Sequence, residues 1–368
     1  MGIGCVLVFG LIGCRFDTRQ STLDPKGPIA ATQYELFMVT VWVTLFIFIT
    51  VGGALMWVVY RFKEKPNDTS DDLPSQTHGN PLIEVALIGI SILLLVIIAI
   101  PTVRAVWYID ELPQDPSSHL SAWYKGSLPE QAEDEVLTIN VYGYQWWWAF
   151  EYPQLGLTTA NEFAIPLGKT VKLNLRSVDV IHSFWLPKIA GKVDLIPGRA
   201  NWMWIRADEP GYYYGQCAEF CGSAHAYMLF RTEVLDTQSF SDWVKQQQQN
   251  AVLPATPRAQ AGMKLFTEKT CVQCHKIRGN PLAQGVKGPD LTHIASRKTL
   301  ASGILDNRLD EGPIIPEQQR LNLFNWIKYS QHLKPGNLMY NDPTGGLKSV
   351  SMTDDEIEKI VDYLQTLL

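Results

Sequence analysis

The stretch Cys217-Ala-Glu-Phe-Cys221-Gly-Ser-Ala-His225-Ala-Tyr-Met228 decides how the rest of the chain reads. It gathers two thiols, an imidazole and a thioether, and a second imidazole, His182, stands upstream in His182-Ser-Phe-Trp185. These are soft nitrogen and sulfur donors. Zinc accepts two Cys and two His but has no use for the thioether of Met228, so the set favours copper. A mononuclear copper site needs one thiolate. The second, four residues on, can bridge a second copper ion, and spreading one electron over two metals lowers the reorganisation that accompanies electron transfer. Gly222 lets the chain turn tightly after Cys221. The competing reading is a local disulfide with incidental His and Met neighbours.

Working outward, Leu137-Thr138-Ile139-Asn140-Val141, Thr170-Val171-Lys172-Leu173-Asn174-Leu175 and Met203-Trp204-Ile205-Arg206 read as short strands between Gly and Pro turns. They predict a small β-sandwich over residues 136–235 that holds the donor loop. Within it, Tyr144-Gln145-Trp146-Trp147-Trp148 puts three tryptophans on one alternating strand. They cannot all point inward, so at least one faces outward, where a large aromatic marks a contact site. Trp148 best fits an ordinary core position.

The 368 residues are too many for one ordinary domain, and 46% hydrophobic with 18% charged content suits a few membrane spans attached to soluble domains. Residues 33–61 and 82–108 each supply the roughly 20 apolar residues a span needs. Arg61, Lys63 and Lys65 follow the first span, so the short loop between spans is cytoplasmic, and both termini and everything after Tyr108 lie outside. Glu84, near the start of the second span, is either an interfacial carboxylate or a functional one. Residues 1–14, ending Leu11-Ile12-Gly13-Cys14, look like a lipoprotein signal without its basic n-region. A net charge of −6 argues against nucleic acid as a partner and leaves room for a cationic protein.

After a linker, 236–257, rich in Gln and Pro, the character turns helical over 258–368. Cys271-Val272-Gln273-Cys274-His275 is the signature of covalent c-type haem attachment, with two thioether bonds and an imidazole for the iron. The sixth ligand comes from Met263, Met339, Met352, His293 or His332. Met339, in the irregular Lys334-Pro-Gly-Asn-Leu-Met339, is favoured.

The copper pattern, with Asp194-Leu-Ile-Pro-Gly-Arg199 between its parts, resembles subunit II of the haem–copper cytochrome c oxidases over about residues 34–234. The resemblance implies a two-helix transmembrane hairpin, a cupredoxin-like sandwich and a binuclear CuA centre of two coppers. His182, Cys217, Cys221, His225 and Met228 would be its ligands, with the Glu219 carbonyl. The Glu219 carboxylate would help hold magnesium against subunit I. Trp146 would be where electrons enter, and Glu84 would stand at the mouth of a proton pathway. Residues 259–368 resemble class I cytochromes c, all-α, in which the Pro289 carbonyl of Gly288-Pro-Asp-Leu291 would orient His275 and Met339 would be axial.

The fusion resembles the caa-type oxidases, which reduce oxygen to water and pump protons. It implies a bacterial cell membrane, subunits I and III as partners, and an outside donor such as a cytochrome c. A short flexible tether would raise the local concentration of the haem domain to the order of millimolar. A nitric oxide reductase subunit shares the same copper site. A copper-delivery assembly protein needs neither Met228, paired spans nor haem, and the intact ligand set argues against a quinol-oxidising subunit.

Overall fold

Long apolar runs flanked by prolines make two helices, α1 (Pro28–Arg61) and α2 (Pro81–Asp110). The computed structural model describes residues 17–63, 78–113, 136–339 and 352–368, so Cys14, Lys65 and Tyr340 lie outside the described residues. At 1.5 Å per residue the helices run about 51 and 45 Å, beyond the roughly 30 Å hydrocarbon core. Each extends past the expected 33–61 and 82–108, because Pro28 and Pro81 suit a first helical turn. Asn80 caps α2, accepting from the Leu82 amide at 3.0 Å. Pro101 is accommodated inside α2. The apolar side chains point away from the helices: Phe48, Met56 and Leu95 are each more than half exposed. Outside lipid such a surface would aggregate.

The chain divides into two units, one of residues 31–128 with most of α1 and α2, the other combining the sandwich and the helical end. In the second unit, β1 (Leu137–Tyr144), β2 (Trp147–Tyr152), β3 (Leu157–Ala160), β5 (Val171–Ser177) and β8 (Asn201–Ile205) form one sheet, ordered β3-β2-β1-β5-β8. β4 (Glu162–Pro166), β6 (His182–Trp185), β7 (Lys192–Leu195), β9 (Gly211–Cys217) and β10 (Leu229–Leu235) form the other, ordered β4-β10-β9-β6-β7. β1 pairs parallel with β5 and β4 with β10; the remaining neighbours are antiparallel. Alternation of buried residues along β1 and β5 turns one face of the first sheet inward. Between the sheets lies an aromatic core. Phe184 stacks on Phe230 at 4.4 Å and Phe150 on Phe163 at 4.2 Å, with Trp148 edge-on to Phe184.

The segment expected to be a flexible linker, 236–257, contains a helix, α3 (Thr237–Gln248). Asp236 caps it by accepting from the Gln238 and Ser239 amides, Trp243 packs on Tyr152 at 5.6 Å, and Gln248 reaches the Leu155 carbonyl at 2.7 Å. The Gln run that suggested a linker forms the last turn and C-cap of this helix, with Gln247 buried and Gln246, Gln248 and Gln249 exposed. Beyond it come α4 (Pro257–Glu268), α5 (Pro316–Leu333) and α6 (Asp354–Leu364). A capping box starts α6, with Thr353 and Glu356 each accepting from the other's amide. α4 and α6 cross closely enough that a Cβ at Gly262 would lie 1.8 Å from the Lys359 carbonyl. Phe266 and Tyr363 meet beside it at 5.8 Å.

A short hairpin, β11 (Thr299–Leu300) and β12 (Leu305–Asp306), projects from the helical region onto the sandwich. Glu162 accepts from the Lys298 and Thr299 amides at 3.0 and 2.5 Å. Arg231 of β10 donates to the Gly303 carbonyl at 2.9 Å and lies over Tyr214, while Arg308 lies over Tyr212. Arg297, buried, donates to the carbonyls of Ala160 and Asp290.

Candidate copper and haem sites

The donor loop is held by the ends of three strands. His182 opens β6, Cys217 ends β9, and Phe184 pairs with Cys217 across them. The loop closes where the Cys217 amide meets the Met228 carbonyl at 2.9 Å and the Ala218 amide meets the Ser183 carbonyl at 3.0 Å. A short turn, His225–Tyr227, carries the second imidazole back to the thiols.

The sequence-predicted donors converge. Sγ of Cys217 lies 3.8 Å from that of Cys221, 3.9 Å from His182 Nδ1 and 3.3 Å from the Glu219 carbonyl. Sγ of Cys221 lies 3.5 Å from His225 Nδ1 and 3.8 Å from Met228 Sδ. Both thiols are free. His182, Cys217, Cys221 and Met228 are buried, so the nest is closed on the protein side. The hydrogen bond between the thiols drives Cys217 to about 4, against desolvation, with His182 assisting; its partner Cys221 is pushed up in turn. A site with one thiolate already formed suits a cationic soft metal, which would deprotonate the second.

Sequence reasoning missed Asp179. Its carboxylate meets His182 Nε2 at 2.8 Å and so leaves Nδ1 facing the thiols. Burial opposes protonation of His182, but the bonds to Asp179 and Cys217 prevail and raise its pKa. Desolvation also opposes the charge of Asp179, yet its bonds to His182 and two amides hold it below the usual carboxylate range. A carboxylate behind a ligating imidazole fixes the ring and raises its basicity. The only signal was an Asp three residues before the His.

In the helical region a cavity of about 500 Å³ is bordered by Cys271, Cys274, His275, Pro289, Met339 and Met352. Cys271–Gln273 form a short 3₁₀ turn, and the His275 amide bonds to the Cys271 carbonyl at 3.0 Å. His275 Nδ1 meets the Pro289 carbonyl at 2.8 Å. Burial lowers the pKa of His275, against the Pro289 carbonyl, and keeps the imidazole neutral and able to bind metal. The volume, the two thiols and the held imidazole fit a covalent porphyrin. Met339 and Met352 both border the cavity; Met263, His293 and His332 do not. His293 is occupied with the carbonyls of Leu368 and Gln249.

Trp148 is fully buried and Trp147 stacks on Tyr144 at 4.3 Å. Trp146, expected to face outward, is half-buried and borders the cavity in the helical region. Its indole Nε1 donates to the Cys221 carbonyl at 2.9 Å. The helical region itself covers the contact aromatic. Glu84 stands exposed in the first turn of α2.

Comparison with known proteins matches both regions of the chain. Residues 155–235 match the cytochrome c oxidase subunit II periplasmic domain and residues 259–368 match cytochrome c. Cytochrome c oxidase subunit 2 of Alkalihalophilus pseudofirmus is 34% identical across 98% of this chain and 94% of its own length. That of Bacillus subtilis is 31% identical across 94% and 91%. Quinol oxidase subunit 2 of Bacillus cereus is 30% identical across 67% of this chain and 78% of its own. The chain therefore belongs to the cytochrome c oxidase subunit 2 family, as a component of a haem–copper oxidoreductase in which a copper-binding sandwich is fused to a C-terminal haem c domain.

Proposed function

We propose that this chain receives electrons from an outside donor at its cytochrome region and hands them through its copper loop to subunit I, where oxygen is reduced to water and protons are pumped. The observation that carries the reading is the cavity bordered at once by Cys271, Cys274 and His275 and by Trp146, whose indole bonds to the copper loop. When bound, haem c and a two-copper centre supply one-electron exchange with little rearrangement. Cys271 and Cys274 would hold the porphyrin, with His275 and Met339 as axial ligands; His/Met ligation favours a high potential. His182, Cys217, Cys221, His225, Met228 and the Glu219 carbonyl would hold the copper pair, and Asp179 orients His182. Burial of the thiols keeps water from the sulfur atoms.

The finer assignments belong to the same reading. Glu84 serves a proton pathway into subunit I, the Glu219 carboxylate helps hold magnesium there, and subunit III completes the complex. α1 and α2 cross the cell membrane with both termini outside, since Arg61 ends α1 and Lys63 follows it.

Metal and haem content of the purified full-length chain tests this. Two coppers and one covalent haem, with the resonance signature of an electron shared over two coppers, are expected; Cys221→Ser abolishes that signature. Zinc or a single copper in the loop would refute the reading. Met339→Ala leaves the haem attached and lowers its potential. Redox titration checks this against Met352→Ala, and the axial role passes to Met352 should only that variant shift.

A further inference from the structure

Trp146 is gripped from both sides by residues that the electron-carrying reading does not use. On its main chain, the ammonium of Lys334 donates to the Trp146 carbonyl at 2.5 Å and to Ser302 Oγ at 2.9 Å, and Ser302 Oγ itself donates to the same carbonyl at 3.0 Å. Lys334 and Ser302 are each only 3% exposed. A lysine buried this deeply, with no acidic partner in contact among the described residues, is costly to keep, and its presence marks a specific task. On the ring, a Cβ added to Gly222 would lie 2.9 Å from Trp146 Cζ2, and one added to Gly336 would lie 2.3 Å from Ser223 Oγ of the copper loop and 3.2 Å from Trp146 Cη2. Both glycines have positive φ, +113° and +84°. The indole thus fits a slot with one glycine wall from the copper loop and one from the cytochrome region.

The second wall belongs to a stiff segment. Asn337 Nδ2 donates to the carbonyls of Ser330 and Lys334 at 2.8 and 2.7 Å, and the Met339 amide donates to Asn337 Oδ1 at 3.0 Å. The Gly336 amide donates to Gln331 Oε1 at 3.1 Å. One short run of chain therefore ties the carbonyl of Trp146, the edge of its ring and Met339 together. The indole N–H completes the link to Cys221.

We propose that Lys334 and Gly336 are positioning residues that hold Trp146 as the bridge for one electron passing from the haem to the copper loop. This rests on the function proposed above. One electron leaves ferrous haem, which becomes ferric, and reduces the oxidised copper pair; no bond forms or breaks and no proton moves. Tight coupling needs an unbroken run of bonds and short contacts, and the hydrogen bond from Trp146 to Cys221 supplies its last member.

The test uses the full-length chain, loaded with copper and haem in detergent, as wild type, Lys334→Met, Lys334→Arg, Ser302→Ala and Gly336→Ala. Flash-triggered haem-to-copper transfer, amide hydrogen exchange across residues 144–148, haem potential and the copper resonance spectrum are measured on each. For Lys334→Met and Gly336→Ala we expect transfer slowed by roughly tenfold or more, the scale on which small misplacements cost rate. Exchange at Trp146 rises, while the haem potential and copper spectrum stay as in wild type. Ser302→Ala shows a smaller change of the same kind, and Lys334→Arg retains most of the rate. Unchanged transfer in Lys334→Met alongside raised exchange would reduce the grip to a structural contact and overturn the proposal. So would a slowing that tracks a shifted haem potential, which would act through Met339 instead. Wild type that loads both cofactors yet passes no electron between them would sink the underlying reading as well.

Discussion

Asp179 and Lys334 are single residues whose surroundings emerge only in three dimensions. Asp179 accepts from the Gln145 and Val180 amides as well as meeting His182, so its carboxylate is fixed before any metal arrives. Asp179→Asn should weaken copper binding by roughly tenfold to a hundredfold, the usual loss when the group behind a ligating imidazole is removed. Competition titration against a chelator reads this, and unaltered affinity would deny Asp179 any part in the site. For Lys334, burial lowers the pKa from 10.5 to about 7, with Cys221 pulling the other way. Between those values the unfolded chain holds a proton that the folded chain has released, so stability climbs with pH across that window. The buried charge costs most below about pH 7. Lys334→Met removes this climb. Urea midpoints of both proteins from about pH 6 to about pH 10 check it, and parallel curves would show that Lys334 keeps its ordinary pKa. The clustering of the candidate copper donors was legible because metal chemistry restricts which side chains can stand together. Asp179 and Lys334 were not, because one Asp and one Lys in a sequence carry no mark of what they will face.

At the scale of elements, the hairpin β11–β12 and helix α3 change what joins the two redox regions. A glutamine-rich stretch between apolar segments reads as a tether because its composition is polar throughout. The Asp236 cap and the packing of Trp243 on Tyr152 make it a docked helix instead. The hairpin gave no periodic signal, since its strands are two residues each. Its turns are held in left-handed conformations at Ala301, Ser302 and Gly303. Just before it, Arg297 is buried and bonds to two main-chain carbonyls. Arg297→Ala strands the carbonyls of Ala160 and Asp290 and should cost about 1.5–3 kcal/mol, the worth of a hydrogen bond to a charged group. Denaturant melts check the magnitude; a loss within experimental scatter would mean that water replaces the guanidinium without cost. The two membrane helices, by contrast, were plain in the sequence, and only their ends moved, by five residues at most.

For the whole molecule, the sandwich and cytochrome region form one unit joined by Glu162, Arg231, Arg297 and the Trp146 slot. Copper held by the folded loop alone, as proposed, would add about 4 kcal/mol to its stability at a thousandfold excess over the dissociation constant. Because the regions interlock, calorimetry of the full chain should show the cytochrome transition rising together with that of the sandwich when copper is added. Independent transitions, with only the sandwich responding, would mean that the contacts contribute little. The fold class and both cofactor regions could be read from the sequence, for each rests on a dense local motif. How the regions meet could not, because that depends on residues scattered from Trp146 to Gly336 with no spacing rule between them.

The hairpin's grip has a practical corollary for anyone building chimeras. Transplanting only the porphyrin-bearing helices from another cytochrome would take Arg308 from Tyr212, Glu311 from Tyr214 and the Gly303 carbonyl from Arg231, and leave a sticky bald patch on the sandwich. A workable hybrid has to bring residues 297–311 along as an adaptor, with the donor's helices spliced on either side of it.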